Sequence, residues 1–249
     1  MTFDLTTKNW QLPSTYVKTN NSPCGLWEIP NKINWVVDGG EVVLLISQAG
    51  AVGSSTFVDT AKNKVITPTN ATWSNNQLLF GKPTIYINNG GLIINGPDDF
   101  NVIAGQPFCI EFYLKMVNTV TAVLTRSTTL IGGDNGAYHL YNPNYSATTL
   151  TGYYLFGGIS LVSPSLSGNW NHFAISRDAN GVIRGFVNGI ITSSSTNMSA
   201  ATSTAPLILG STFSGSGYTV FAGNFAEIRF TKGVPVYTQN FTTPNAGFV

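Results

Sequence analysis

The chain is short of charge. Of 249 residues only 12 are Lys or Arg and 11 are Asp or Glu, 9% in all, against about 25% in an ordinary soluble domain. The cations are scattered and the net charge is +1, so no basic face exists for a phosphate backbone and no nucleic-acid partner is expected. Cysteine and histidine are scarcer still, two of each, at positions 24, 109, 139 and 172. No spacing among them supplies the three or four ligands of a zinc site, and Cys24 and Cys109 read as two free thiols, with a single disulfide as the alternative. No apolar run approaches the ~18 uninterrupted residues of a membrane-spanning helix, so no membrane insertion is expected. The opening MTFDLTTKNW has no basic stretch leading into an apolar one, the pattern of a protein made in a cytoplasm without a signal peptide. Helical periodicity is missing as well: apolar residues do not recur at i, i+3, i+4 and i+7, and Gly, Pro, Asn and Ser interrupt the chain throughout.

Alternation takes its place. Residues 108–115 put Phe108, Ile110, Phe112 and Leu114 on one face and Cys109, Glu111, Tyr113 and Lys115 on the other, which predicts a strand with one apolar and one wet or partnered face. Residues 225–230 predict a second, with Ala226, Ile228 and Phe230 opposite Phe225, Glu227 and Arg229. Around 170–190 the dipeptides Asn180-Gly181 and Asn188-Gly189 bracket the β-branched and aromatic run 182–187. Both dipeptides predict type I′ turns, because Gly has no Cβ and Asn tolerates positive φ, so this stretch reads as a three-stranded meander. Further strands are expected at 42–46, 84–87, 92–95, 120–125, 137–141, 152–156 and 206–209. That makes roughly a dozen, too many for one flat sheet. Strands with one apolar face each stack as two layers, so the expected fold is all-β, a two-sheet antiparallel jelly-roll sandwich.

Residues 1–40 differ in carrying Trp10, Trp27 and Trp35 with Pro13, Pro23 and Pro30 and little alternation. They read as an irregular N-terminal arm whose indoles either pack over the body or anchor it to another subunit, leaving 41–249 as the body. Between 132 and 158 five tyrosines accumulate. Tyrosine offers a rigid face and a hydroxyl to sugars and proteins alike, and Tyr138, Tyr141 and Tyr145 are the candidate contacts for a receptor or glycan. The eleven acids provide no acid-x-acid pair on a strand, the arrangement that would set two glycosidase carboxylates side by side. Glu111 and Glu227 form the best distant pair, and they read instead as sheet-face partners of Lys115 and Arg229 respectively. No catalytic residue is expected.

Several blocks carry a family resemblance. EVVLLISQAGAVGSSTFVDTAKNK (41–64), FGKPTIYINNGGLIINGPDDFNV (80–102), QPFCIEFYLKM (106–116) and FAGNFAEIRFTKGVPVYTQNFTTP (221–244) occur in order. In that order they resemble the concanavalin A-like or laminin-G-like jelly rolls found in structural proteins of tailed bacteriophages. The resemblance implies a non-enzymatic virion structural protein, made in the host cytoplasm and carried on the virion surface. Such a part decorates a capsid or serves a tail or fibre, mounted by its arm on other virion proteins, and displays the body for stabilisation or host adsorption. It also implies a homo-oligomer, trimers being common among such parts. A soluble carbohydrate-binding lectin is the alternative and a glycoside hydrolase the third. Some relatives bind calcium through loop acids; here Ala226-Glu227 replaces an Asp-Glu pair and 46–50 has no acid, which leaves Asp59 and Glu227 as the calcium candidates. No other cofactor is implied.

Overall fold

The alternation at 108–115 becomes β8 (Phe108–Met116), whose Phe108, Ile110, Phe112 and Leu114 enter the main core while Cys109 and Tyr113 join apolar clusters on the opposite face. The computed structural model describes residues 40–117, 122–126, 138–142, 148–211 and 221–248 in full. Of the first 39 it describes the backbone of β1 (Thr2–Asp4), β2 (Asn9–Gln11), β3 (Val17–Lys18) and β4 (Trp27–Glu28). Those four strands form two antiparallel pairs, Trp10 opposite Phe3 and Trp27 opposite Lys18. The side chains of Trp10 and Trp27, and all of Trp35, Cys24 and Tyr145, lie outside the described residues.

The other thirteen described strands form one hydrogen-bonded system that doubles over on itself. Its front layer runs from β5 (Glu41–Ile46) through β17 (Ala222–Lys232), β8, β13 (Asn171–Arg177) and β14 (Val182–Val187) to β15 (Ile190–Thr196). The back layer holds β6 (Ile66–Leu79), β7 (Lys82–Ile94), β16 (Leu207–Leu209), β9 (Ala122–Arg126), β10 (Tyr138–Tyr141), β11 (Thr149–Tyr154) and β12 (Ser160–Val162). All pairings are antiparallel. β7 joins the layers, pairing β17 through Ile85–Asn88 and β16 through Leu92–Ile94. The bend falls at Asn89, whose φ is 56°, and at Gly90, where a Cβ would run into Thr69 O. Rings from both layers meet between them, Phe108 on Phe156 and Tyr138 on Phe230 at centroid distances of 6.3 and 6.5 Å. The sandwich expected from the sequence is therefore present, the windows 84–87 and 92–95 being one continuous strand.

Two sequence expectations need correction. In β17 two residues, Glu227 and Ile228, stand opposite Phe112 alone, since Ala226 pairs Tyr113 and Arg229 pairs Glu111. This bulge, with Glu227 at φ 51°, flips the parity. Phe225, Ile228 and Phe230 thus share the core, and Ala226 faces outward. The 178–181 turn is not type I′: Gly181 has φ 76°, Asn180 is not at positive φ, and Asp178 Oδ1 accepts the Asn180 and Val182 amides. The Asn188-Gly189 turn does have both residues at positive φ, 51° and 79°. Gly189 is doubly constrained, because a Cβ there would collide with Phe241 O. Gly189→Ala is expected to cost roughly 2–3 kcal/mol, read as a shift in the denaturant midpoint; an unchanged midpoint would show that residues around Phe241 yield freely.

One end of the sandwich is organised by guanidinium groups that have no carboxylate partner among the described residues. Arg126 is fully buried and donates to the carbonyls of Pro97 (2.8 Å), Phe100 (2.8 Å), Ser203 (2.6 Å) and Ala205 (3.4 Å) and to Asn101 Oδ1 (2.6 Å). Arg177, also fully buried, donates to the carbonyls of Ile103, Gln106, Asn197 and Ser199. Burial pulls both pKa values below the ordinary arginine value, yet a dense set of carbonyl dipoles is the environment in which a buried guanidinium keeps its charge.

Candidate functional site

Two places concentrate chemistry, one closed and one open. The closed one lies on the outer face of the front layer. β8 carries Glu111, β13 carries His172 and β17 carries Arg229, and residues 233–248 pass over them. Arg229 donates through Nε (2.9 Å) and Nη2 (2.6 Å) to Glu111 Oε1, while Tyr237 Oη (2.9 Å) donates to Oε2, which also meets His172 Nε2 at 3.1 Å. Both Glu111 and His172 have no solvent exposure. Burial works to raise the Glu111 pKa, but the His172 hydrogen bond and the Arg229 charge outweigh it and hold the carboxyl below its usual range. Burial and Glu111 push the Tyr237 phenol up.

The covering segment is fastened along its length. Tyr237 stacks on Phe241 at 3.6 Å, Phe241 N donates to Gly189 O, Tyr113 Oη donates to Pro244 O, and Phe248 N donates to Glu227 Oε2 at 2.7 Å. The Arg229 guanidinium lies 4.5 Å from the Phe248 ring centroid. Through these bonds the Glu111 carboxylate ties β8, β13 and β17 to the segment that covers them. Neither expected pair forms: Glu111 takes Arg229, Lys115 donates to Gln77 Oε1 at 2.6 Å, and Glu227 accepts the Phe248 amide.

The calcium candidates are engaged by the chain itself. Asp59 is buried, and its carboxylate accepts the amides of Leu45, Ala61, Lys62 and Lys64 at 2.9–3.2 Å, with Lys64 Nζ 3.6 Å away. Glu227, its pKa raised by burial, holds the Phe248 amide. Among the described residues no group of three or more His, Cys, Asp or Glu converges as a metal site would require. Cys109 is a free, buried thiol whose pKa burial raises well above the usual value.

The open site is the outer face of the back layer. Tyr138 was a contact candidate, but it is fully buried in the core, and its hydroxyl donates to Phe100 O at 3.3 Å. Its neighbours on β10, His139 and Tyr141, therefore point the other way. Tyr141 stacks on Tyr153 of β11, centroids 4.9 Å apart and planes 23° from parallel. The Tyr153 hydroxyl and partial burial push the Tyr141 pKa up to about 12. Tyr154 follows Tyr153 directly and, on a regular strand, would face inward beside its partner Tyr138. Instead it has φ 58°, its ring lies 5.4 Å from that of His139, and it remains 41% exposed. A bulky residue at positive φ is strained by about 1–3 kcal/mol, and here the strain turns a ring outward beside Tyr153, itself 37% exposed. Asn197 Nδ2 holds the turn by donating to the carbonyls of Tyr154 and Leu155. Tyr141 is thus the sequence candidate found at this face; Tyr153 and Tyr154 were missed as contacts. Only the tyrosine density of 132–158 hinted at them.

The sequence pattern described as the concanavalin A-like lectin/glucanases superfamily matches residues 88–235. No curated protein sequence matches the chain. Among solved structures, the binding domain of Paraclostridial Mosquitocidal Protein 1 is similar at a TM-score of 0.56 and 13% identity, over 79% of this chain and 49% of that one. Trypanosoma rangeli sialidase in complex with sialic acid is similar at 0.55 and 14%, over 89% of this chain and 34% of that one. The HCR/D W1238A mutant is similar at 0.53 and 12%, over 81% and 48%. The chain therefore spans about half the length or less of each. At these identities the likeness is one of fold.

Proposed function

The chain belongs to the concanavalin A-like lectin/glucanases superfamily, and from that premise we propose that it is a non-enzymatic adhesion module that holds a host-surface glycan on the aromatic face of β10 and β11. One observation carries this reading: Tyr154 is held at φ 58° and remains 41% exposed, so backbone strain is not recovered as burial. Strain that persists at a solvent-facing aromatic cluster is the signature of a surface kept ready for a partner. The non-enzymatic reading is supported by the engagement of Glu111 and Glu227 with the chain's own donors.

The module's setting is proposed from the ordered blocks at 41–64, 80–102, 106–116 and 221–244, which resemble parts of tailed-bacteriophage particles. In that setting residues 1–40, with Trp10, Trp27 and Trp35, mount the body on other virion proteins as a homo-oligomer. A free lectin is the second reading, and the same exposed rings favour it. Cross-linking of the intact particle is expected to join residues 1–40 to another virion protein; recovery of the chain only as a free protein would favour the second reading.

The site itself is tested by two substitutions on a glycan array. Tyr153→Ala is expected to lower glycan affinity roughly tenfold, about the contribution of one aromatic stack. Tyr154→Gly removes ring and strain together, so binding is expected to fall while stability stays level or rises by up to ~1 kcal/mol. A marked loss of stability with unchanged binding would make Tyr154 a packing residue and defeat the reading.

A further inference from the structure

The aromatic face lies in a long uncharged region. Residues 135–176 contain no Asp, Glu, Lys or Arg, and residues 185–226 contain none either. These two segments supply β10, β11, β12, β15 and β16. The charged residues between them are Arg177, Asp178 and Arg184. Arg177 is spent on buried carbonyls, and Arg184 pairs with Asp178 at 2.7 Å. On β9, beside β10, the one charged side chain is Arg126, which is fully buried against carbonyls.

Resting on the reading of this face as glycan-binding, we infer that it takes an uncharged pyranoside and rejects sialylated, sulfated or uronate sugars. A carboxylate or sulfate brought onto the rings would shed hydration with no described cation to receive it. An uncharged pyranose loses nothing of that kind. Its C–H face lies on the exposed side of Tyr153 or Tyr154, and its hydroxyls can reach Thr149 and Thr151. Those two threonines are half-buried on the same side of β11 as Tyr153, because Leu150 between them belongs to the core. The Tyr141 phenol, its pKa raised to about 12, stays uncharged in neutral solution.

The test is binding of the full chain to two oligosaccharide sets, one terminating in galactose, glucose or N-acetylhexosamine and the other sialylated, sulfated or uronate-bearing. Each set is measured at low and high ionic strength. The expected result is retention of uncharged sugars with less than about twofold change over the salt range, weakened roughly tenfold in Tyr153→Ala and also weakened in Tyr154→Gly while circular dichroism is unchanged. Binding confined to the anionic set, falling steeply with salt, would overturn the inference and leave the glycan reading standing. Binding of neither set would overturn the glycan reading itself. Uncharged-sugar binding indifferent to both substitutions would move the site off β10 and β11 and overturn the inference with it.

Discussion

Replacing Arg126 by methionine is expected to destabilise the protein by about 4 kcal/mol or more, in the range reserved for a lost buried network. Methionine roughly fills the space but donates nothing. The carbonyls of Pro97, Phe100, Ser203 and Ala205, together with Asn101 Oδ1, would lose their donor inside the protein, and each stranded acceptor costs about 1–3 kcal/mol unless water enters. Arg126→Lys keeps the charge but supplies three donors from one point in place of a planar fork, so it is expected to recover only part of the loss. Hydrogen exchange would show where the damage falls: protection should drop first at 97–101 and 201–205, the two stretches the guanidinium ties together. An Arg126→Met protein as stable as the parent would mean that these loops close without it.

Glu111→Gln is expected to cost about 3–5 kcal/mol, because it leaves Arg229 buried without a counter-charge. The arginine lies at 15% side-chain exposure, and the carboxylate it loses was within 2.6 Å. The double variant Glu111→Gln with Arg229→Met is expected to regain most of the loss, since a buried pair removed whole is far cheaper than one broken in half. The pH dependence has a definite sign. The Glu111 pKa is lowered in the folded state, so its contribution is complete above the unfolded carboxyl value of about 4.3 and is lost as pH falls through the folded value. Glu227 acts oppositely: its raised pKa gives stability that is present below about 4.3 and is lost as pH rises through its folded value. Unfolding free energy measured against pH should therefore fall on the acid side, and that limb should flatten in Glu111→Gln. An acid limb identical in the variant would detach Glu111 from acid stability.

Both residues mark what could and could not be read from the chain. The two-sided character of β8 was legible, because which way a side chain points on a strand depends on residues two apart. That its second face would be dry was not legible: Arg229 and Tyr237 are 118 and 126 residues from Glu111, and pairing that distant with Lys115 close at hand has no local signal. The inversion of Phe225 and Ala226 has the same origin. One extra residue in β17 reverses alternation, and the bulge is specified by the neighbours β7, β5 and β8 together.

The tyrosines divide along the same line. Their density was visible in the sequence, but strand parity placed Tyr138 in the core, and the positive φ at Tyr154 that turned its ring outward depends on a turn held by Asn197, 43 residues away. Alternation, turn dipeptides and scarcity of charge are properties of neighbouring residues and of composition, so the sequence by itself determined an all-β sandwich with a nearly uncharged surface along much of its length. Burial, ion pairing and the exposure of particular rings are sums over segments that meet only when the chain has closed. Tertiary structure alone therefore decided that one face would be sealed over Glu111 and another left open at Tyr153 and Tyr154.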